Sequence, residues 1–144
     1  MARYVKPTLQ TKFHIDFGWW KKKGQNLRRH LMEHACPECK AVFEAETESK
    51  PVDWIDPETG QVFAVDPLWY AIHTHCSQDP SFLDENLALT AAVFRLFLAN
   101  NNTPLTPVEM HQQLHKKDAR TILRTIGGHN IYKGIRPVTI PVSH

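Results

Sequence analysis

Pro104-Leu105-Thr106-Pro107-Val108-Glu109-Met110 and, after a charged break, Asp118-Ala119-Arg120-Thr121-Ile122-Leu123-Arg124-Thr125-Ile126 carry the clearest structural signal in this chain. Thr106 and Glu109 are spaced as a capping box, in which hydroxyl and carboxylate satisfy two backbone N–H groups that a first helical turn leaves open. Pro107 stands at the first helical position, where its missing N–H costs nothing. Met110 and Leu114 then face inward. His115-Lys116-Lys117 breaks the helix, and Asp118 is placed to cap a second one. There Ala119, Ile122, Leu123 and Ile126 recur at i, i+3, i+4 and i+7 as one apolar face. The opposite face holds Arg120, Thr121, Arg124 and Thr125. Two short helices with a tight joint and a basic outward face predict an element that reads nucleic acid.

Working outward, Gly127-Gly128-His129-Asn130 must turn the chain, because paired glycines stop helices and permit positive φ. Ile131 to Val138 is strand-like and basic, and reads as a small β-hairpin. Upstream, Ser81 or Asp84 opens a long apolar helix through Leu98, with Leu87, Ala91, Phe94 and Leu98 on one stripe, ended by Asn100-Asn101-Asn102. Residues 84–140 together resemble the winged helix-turn-helix superfamily. Leu105-Thr106-Pro107 opens its second helix, residues 119–124 form the recognition helix, and residues 131–138 form the wing. One departure is the joint, which lacks the glycine often found there. The resemblance implies that Arg120, Thr121, Arg124 and Thr125 face a major groove while Lys116, Lys117, Lys133 and Arg136 hold phosphates. His129 and Asn130 lie at the turn into the wing.

The charge distribution agrees with that placement. The net charge is only +2, but residues 1–40 hold nine Lys/Arg against three Asp/Glu, residues 41–106 two against ten, and residues 107–144 six against two. Attraction to phosphate is expected from the two ends. Pairing between the basic N-terminal portion and the acidic middle is the competing use of that charge. No apolar run approaches the ~18–20 residues that span a bilayer, which argues against a membrane partner. The first residues, Met-Ala-Arg-Tyr-Val-Lys-Pro, lack the apolar core of a secretory signal, so a cytoplasmic protein is expected.

Nearer the N-terminus, Lys12 to Trp20 reads as a strand or ordered arm, and Lys21 to His34 as a helix despite Gly24, with Leu27, Leu31 and His34 on one face. Cys36-Pro37-Glu38-Cys39 is expected to stop that helix and lead into an exposed acidic stretch around Phe43. Val52-Asp53-Trp54-Ile55 and Gln61-Val62-Phe63-Ala64-Val65 read as two strands about a Pro57-Glu58-Thr59-Gly60 turn. Asp66 caps a helix begun by Pro67, with Leu68 and Ile72 inward, ending near Cys76. Ser77-Gln78-Asp79-Pro80 is the expected boundary.

Three cysteines cannot all pair, so metal or redox use in a reducing compartment is favoured over a disulfide framework. Cys36-x2-Cys39 brings two thiolates within reach of one ion, like a zinc knuckle, and His73-Thr74-His75-Cys76 supplies a second ligand pair. His73 and Cys76, three apart, share a helical face. The expected set is therefore Cys36, Cys39, His73 and Cys76 holding Zn2+, with His75 or His34 as alternatives for the imidazole. A thiol-redox reading fits less well, because the motif follows a helix and precedes an irregular stretch rather than opening a helix. His30 and His34 have helical ligand spacing but lack the glutamate arrangement of a metalloprotease. No phosphate loop or nucleophile elbow is present, so a non-enzyme is expected.

Together these readings predict an α+β protein: a zinc-stapled α/β module over residues 1–80 and a winged helix-turn-helix over residues 81–144. The expected function is a zinc-containing DNA-binding protein, a transcriptional regulator or accessory factor, with duplex DNA as partner and a protein partner open to the N-terminal module. The alternative is a zinc-stapled adaptor that docks on a nucleoprotein machine such as polymerase or ribosome without reading sequence.

Overall fold

A computed structural model describes residues 6–44, 52–55, 60, 62–84, 86–115, 117–128 and 131–138. The chain is mixed α+β and mostly helical, and forms two compact units. One is Asn26–Phe82. The other joins Met1–Gln25 to Leu83–His144, so the first 25 residues belong with the C-terminal part and not with the module assigned to residues 1–80. The reason is a strand pairing between sequence-distant segments, which no local pattern announces.

In the discontinuous unit, strand β1 (Phe13–Ile15) pairs antiparallel with β4 (Ile135–Pro137), in the register Phe13↔Pro137, His14↔Arg136 and Ile15↔Ile135. Phe13 also exchanges backbone hydrogen bonds with Leu105, at 2.8 and 3.0 Å, an isolated bridge beside the two-stranded sheet. Phe13, Ile15 and Ile135 are fully buried on its inner face. Helix α1 (Phe17–Lys22) follows, capped by the Asp16 side chain on the Gly18 N–H. It ends at Gly24, whose φ of +64° is a left-handed helix stop. The single helix expected over residues 21–34 is therefore two, with Asn26 capping the second.

Helix α5 (Leu89–Ala99) is the core of this unit, burying Ala92, Val93, Phe94, Leu96, Phe97 and Leu98. It begins later than Ser81 or Asp84. Asp79 binds the Ser81 N–H and hydroxyl, and Asp84 binds the Asn86 N–H, so local side-chain bonds hold this stretch out of the helix. Beyond it, Asn102 accepts from the Ile15 N–H at 2.8 Å and donates to the Ile15 carbonyl at 2.9 Å, tying the loop to β1 as a strand would. Helix α6 (Pro107–Leu114) has the full Thr106–Glu109 capping box. His115 turns left-handed at φ 57°, taking the place of the missing glycine, and Asp118 caps α7 (Ala119–Ile126) through the Thr121 N–H. Helices α6 and α7 pack on each other and both on α5, through Met110, Leu114, Ile122 and Ile126.

The hairpin expected over residues 131–138 is corrected. Lys133 and Gly134 both take positive φ, at 49° and 82°, in a turn closed by Ile135 N–H on the Tyr132 carbonyl. The strand leaving that turn pairs with β1, its strand partner among the described residues. Gly134 is also required sterically, since a Cβ there would sit 2.7 Å from Trp20 Nε1. Gly127 keeps a negative φ of −96°. Its need is space, because a Cβ would meet the Leu123 carbonyl at 2.6 Å.

The second unit holds α2 (Leu27–His34), α3 (Pro37–Glu44), the strands β2 (Val52–Ile55) and β3 (Val62–Val65), and α4 (Pro67–Thr74). The two strands pair antiparallel as expected, from Val52↔Val65 to Ile55↔Val62. Their connecting turn at residues 56–59 lies outside the described residues. Asp66 caps α4 on the Leu68 N–H, and Leu68 and Ile72 are buried as anticipated. Helices α2 and α3 both pack against α4. Arg28 fastens the three together: its Nη1 lies 2.8 Å from the capping oxygen of Asp66, and its guanidinium stands over the Phe43 ring. No helix among the described residues is long and apolar enough to cross a membrane.

Candidate metal centre and basic helix face

The residues Cys36-Pro37-Glu38-Cys39 open a helix instead of ending in irregular chain. Cys36 stands just before α3, Cys39 is buried in its first turn, and the Lys40 N–H bonds the Cys36 carbonyl. The motif therefore lies at a helix N-terminus, contrary to the irregular stretch expected after it, and its surroundings favour a metal over a redox pair. Cys36, Cys39 and His75 place one ligand atom each within 4.8 Å of one another, close enough to hold a metal ion, and the three cysteines are free of disulfides.

Cys76 adjoins this group: its Sγ accepts the Cys36 N–H at 3.2 Å, and its thiol is near enough to those of Cys36 and Cys39 to influence their ionisation. The acid–base balance of the group follows from this crowding. Burial pushes the Cys39 thiol up to about 12, and the Cys76 and Cys36 thiols add to the rise. Cys76 is raised as well, again first by burial. For Cys36, burial also raises, but the Cys39 N–H, the two neighbouring thiols and His75 together outweigh it and lower the thiol. Buried thiols at such spacing resist collective ionisation unless a cation balances them, which is the chemistry of a thiolate metal site.

The imidazole assignment changes. Helix α4 ends at Thr74, with the His75 N–H on the Ala71 carbonyl, and Cys76 begins a separate 3-10 turn, Cys76–Gln78. The helical face that would align His73 with Cys76 is broken between them, and His75 is brought to Cys36 and Cys39 instead. His75 Nε2 also meets Glu38 Oε2 at 3.1 Å, a carboxylate no sequence signal had marked. His34 and His30 are buried side by side and belong to neither position.

On the other unit, Arg120 and Arg124 are exposed on α7, and no ion pair among the described residues engages either. Arg124 Nη2 lies 3.4 Å from Thr121 Oγ1, while the Thr125 hydroxyl donates back to the Thr121 carbonyl. Lys117 is exposed, and Lys116, His129 and Asn130 lie outside the described residues. Lys133 is half-buried, with Nζ 6.0 Å from the Trp20 ring centre, and Arg136 pairs with Asp16 at 3.5 Å. Those last two cations therefore have internal neighbours that the sequence did not suggest.

Folding also redistributes charge. The discontinuous unit holds thirteen Lys/Arg against five Asp/Glu, a net of +8, and Asn26–Phe82 holds four against ten, a net of −6. The two basic ends of the chain thus form one unit and the acidic middle another. Compared with known proteins, the chain matches no family model, no curated protein and no solved structure.

Proposed function

We propose that this chain is a zinc-stapled nucleic-acid-binding protein that engages duplex DNA through α7. The observation that carries the reading is the pair Arg120 and Arg124, exposed one helical turn apart on a helix capped at Asp118, within the unit of net charge +8. Arginine forks suit the O6 and N7 acceptors of guanine, and each good pair contributes ~1–3 kcal/mol of discrimination. Lys117 and Lys133 contribute phosphate attraction, which places the protein without reading sequence, while Arg136 stands beside the same path with its guanidinium held by Asp16. The arrangement of α5, α6, α7 and the small sheet around β1 supports the winged helix-turn-helix likeness, with β1 replacing one strand of the wing.

In the acidic unit, the thiolates of Cys36, Cys39 and Cys76, with His75 through the ring nitrogen that does not bond Glu38, form a closed set for Zn2+. A closed thiolate-rich set serves folding and leaves no position for a substrate. Glu38 would orient the imidazole. The adaptor reading keeps one supporting observation: the acidic unit is unsuited to phosphate and exposes Val42 and Tyr70, at 57% and 39%.

The test is a gel-shift series on random duplex DNA, single-stranded DNA and structured RNA across salt. Duplex binding is expected, with a log–log salt slope of roughly −0.9 per phosphate neutralised. Selection of preferred sites should show Arg120→Ala relaxing sequence preference, and Lys117→Ala weakening every sequence alike. Equal loss on all sequences after Arg120→Ala would remove base reading, and no duplex binding at low salt would leave the adaptor.

A further inference from the structure

The run Lys21-Lys22-Lys23 has no part in the duplex reading, and the tryptophans beside it in sequence do not share its surface. Trp20 is buried at 3% exposure, with its ring 6.4 Å from Phe94 of α5 and 5.3 Å from Trp19, both edge-on. Those contacts seat α1 on the core and turn another face outward. Phe17 is 43% exposed, and Gly18, Lys21, Lys22 and Lys23 are exposed with it. Residues three and four apart on a helix are neighbours, so Phe17 lies beside Lys21, and Gly18 beside Lys21 and Lys22. No ion pair among the described residues engages the three lysines. We propose that this face of α1 binds a single strand of nucleic acid, with one unstacked base on the Phe17 ring and neighbouring phosphates on Lys21 and Lys22.

The ligand follows from the chemistry of the face. An aromatic ring beside cations on long stems matches a strand whose bases are free to stack and whose phosphates track positive charge. A duplex keeps its base faces inside its own stack, so it uses the lysines but not the ring. Gly18 leaves the surface between ring and lysines without a side chain, and a base or sugar comes down to the helix backbone there. Because Trp20 already fixes α1, little ordering is required on binding. The net charge of +8 on this unit draws the polyanion in. None of the side chains of Phe17, Gly18, Lys21 and Lys22 offers an acceptor to a ribose 2′-hydroxyl, and the Asp16 carboxylate is engaged by the Gly18 N–H and by Arg136. Binding is therefore blind to sugar and to sequence. A bilayer fits the face less well, because a six-residue helix with one exposed large apolar side chain buries too little in lipid. The proposal stands apart from the duplex contact assigned to α7.

The test titrates the full chain into labelled oligo-dT and oligo-rU of about 12 nucleotides, read by fluorescence anisotropy. Both strands should bind alike. Phe17→Leu keeps an apolar side chain and should weaken both at least about 5-fold, whereas Phe17→Tyr keeps the ring and should bind as the wild type. Lys21→Gln with Lys22→Gln should flatten the log–log salt slope by about 1.4, at roughly 0.7 per phosphate of a single strand. Phe17→Leu should leave duplex affinity unchanged. No binding of either strand at about 50 mM salt, Phe17→Leu binding as the wild type, or equal loss in the leucine and tyrosine variants would each overturn the proposal. So would a preference of about tenfold for one sugar, or binding to phosphatidylserine vesicles that oligo-dT does not compete away. Failure of the α7 reading would show separately, as absent duplex binding with the Phe17-dependent single-strand binding intact.

Discussion

Asp16 sits at a junction where one substitution tests the nucleic-acid reading. Its Oδ1 caps α1 on the Gly18 N–H, while its Oδ2 holds Arg136 Nη1 at 3.5 Å, with the side chains 34% and 41% exposed. Asp16→Asn keeps an oxygen for the cap, since asparagine ranks with aspartate at this position. The lost ion pair costs under about 1 kcal/mol at such exposure, so the fold should hold. What changes is that Arg136 is released and the +8 unit gains one further positive charge. One added phosphate contact steepens the salt slope by about 0.9, so variant-to-wild-type affinity should fall about 3.5-fold between about 50 and 200 mM salt. The assay is fluorescence anisotropy on a random duplex across that range, at roughly pH 8, where histidine is neutral. Arg136→Ala in the variant background should restore the original slope. An unchanged slope in Asp16→Asn, or one that survives Arg136→Ala, would refute the placement of Arg136 beside phosphate.

Three further outcomes are expected. Asn102→Gly removes both bonds to Ile15 while relieving the side chain at φ 58°, and should cost about 1–3 kcal/mol, read by urea unfolding; a change below about 0.5 kcal/mol would deny the loop its strand-like role. His14 is held below its ordinary 6.5, first by burial, with Asp16 opposing and Arg136 adding to the depression. Its neutral form is the one the fold keeps, so its contribution is complete above pH 6.5 and is lost as pH falls from there toward the folded value. Stability-against-pH profiles should show that acid-side loss, and His14→Gln should flatten it. Chelation should destabilise residues 26–82 by about 4 kcal/mol for a metal present at a thousandfold excess over its Kd, or roughly 15–30 °C in melting temperature. Cys76→Ser should melt early with or without chelator, and a chelator-insensitive wild type would remove the structural role of the ion.

Legibility in the sequence followed the range of the interaction. The Thr106–Glu109 box, the Asp66 and Asp118 caps, the α7 apolar stripe and the β2–β3 pairing each depend on neighbours within a few residues, and each is present. Errors arose where a local pattern had two solutions. Gly24 reads as a tolerated helix residue or as a stop, and the left-handed φ selects the stop. His73 and His75 share the spacing of a ligand, and only the end of α4 at Thr74 decides between them. No signal marked Glu38, Asp16 or Asn102, because their partners are supplied by the fold.

The amino-acid order by itself determined helices α4, α6 and α7 with their caps, the β2–β3 pair and the close spacing of Cys36 and Cys39, since these express backbone preferences and side-chain periods that operate over one or two turns. Tertiary structure alone decided that β1 crosses the whole chain to meet β4, and that the basic ends become one unit of net charge +8. It alone brought His75 to the cysteines. Each of these rests on contact between distant residues. Such contacts are chosen by burial of Phe13, Ile15 and Ile135 around α5 and of Cys39 and Cys76 beside α4, where the free energy of removing apolar surface from water has no short-range signature in sequence.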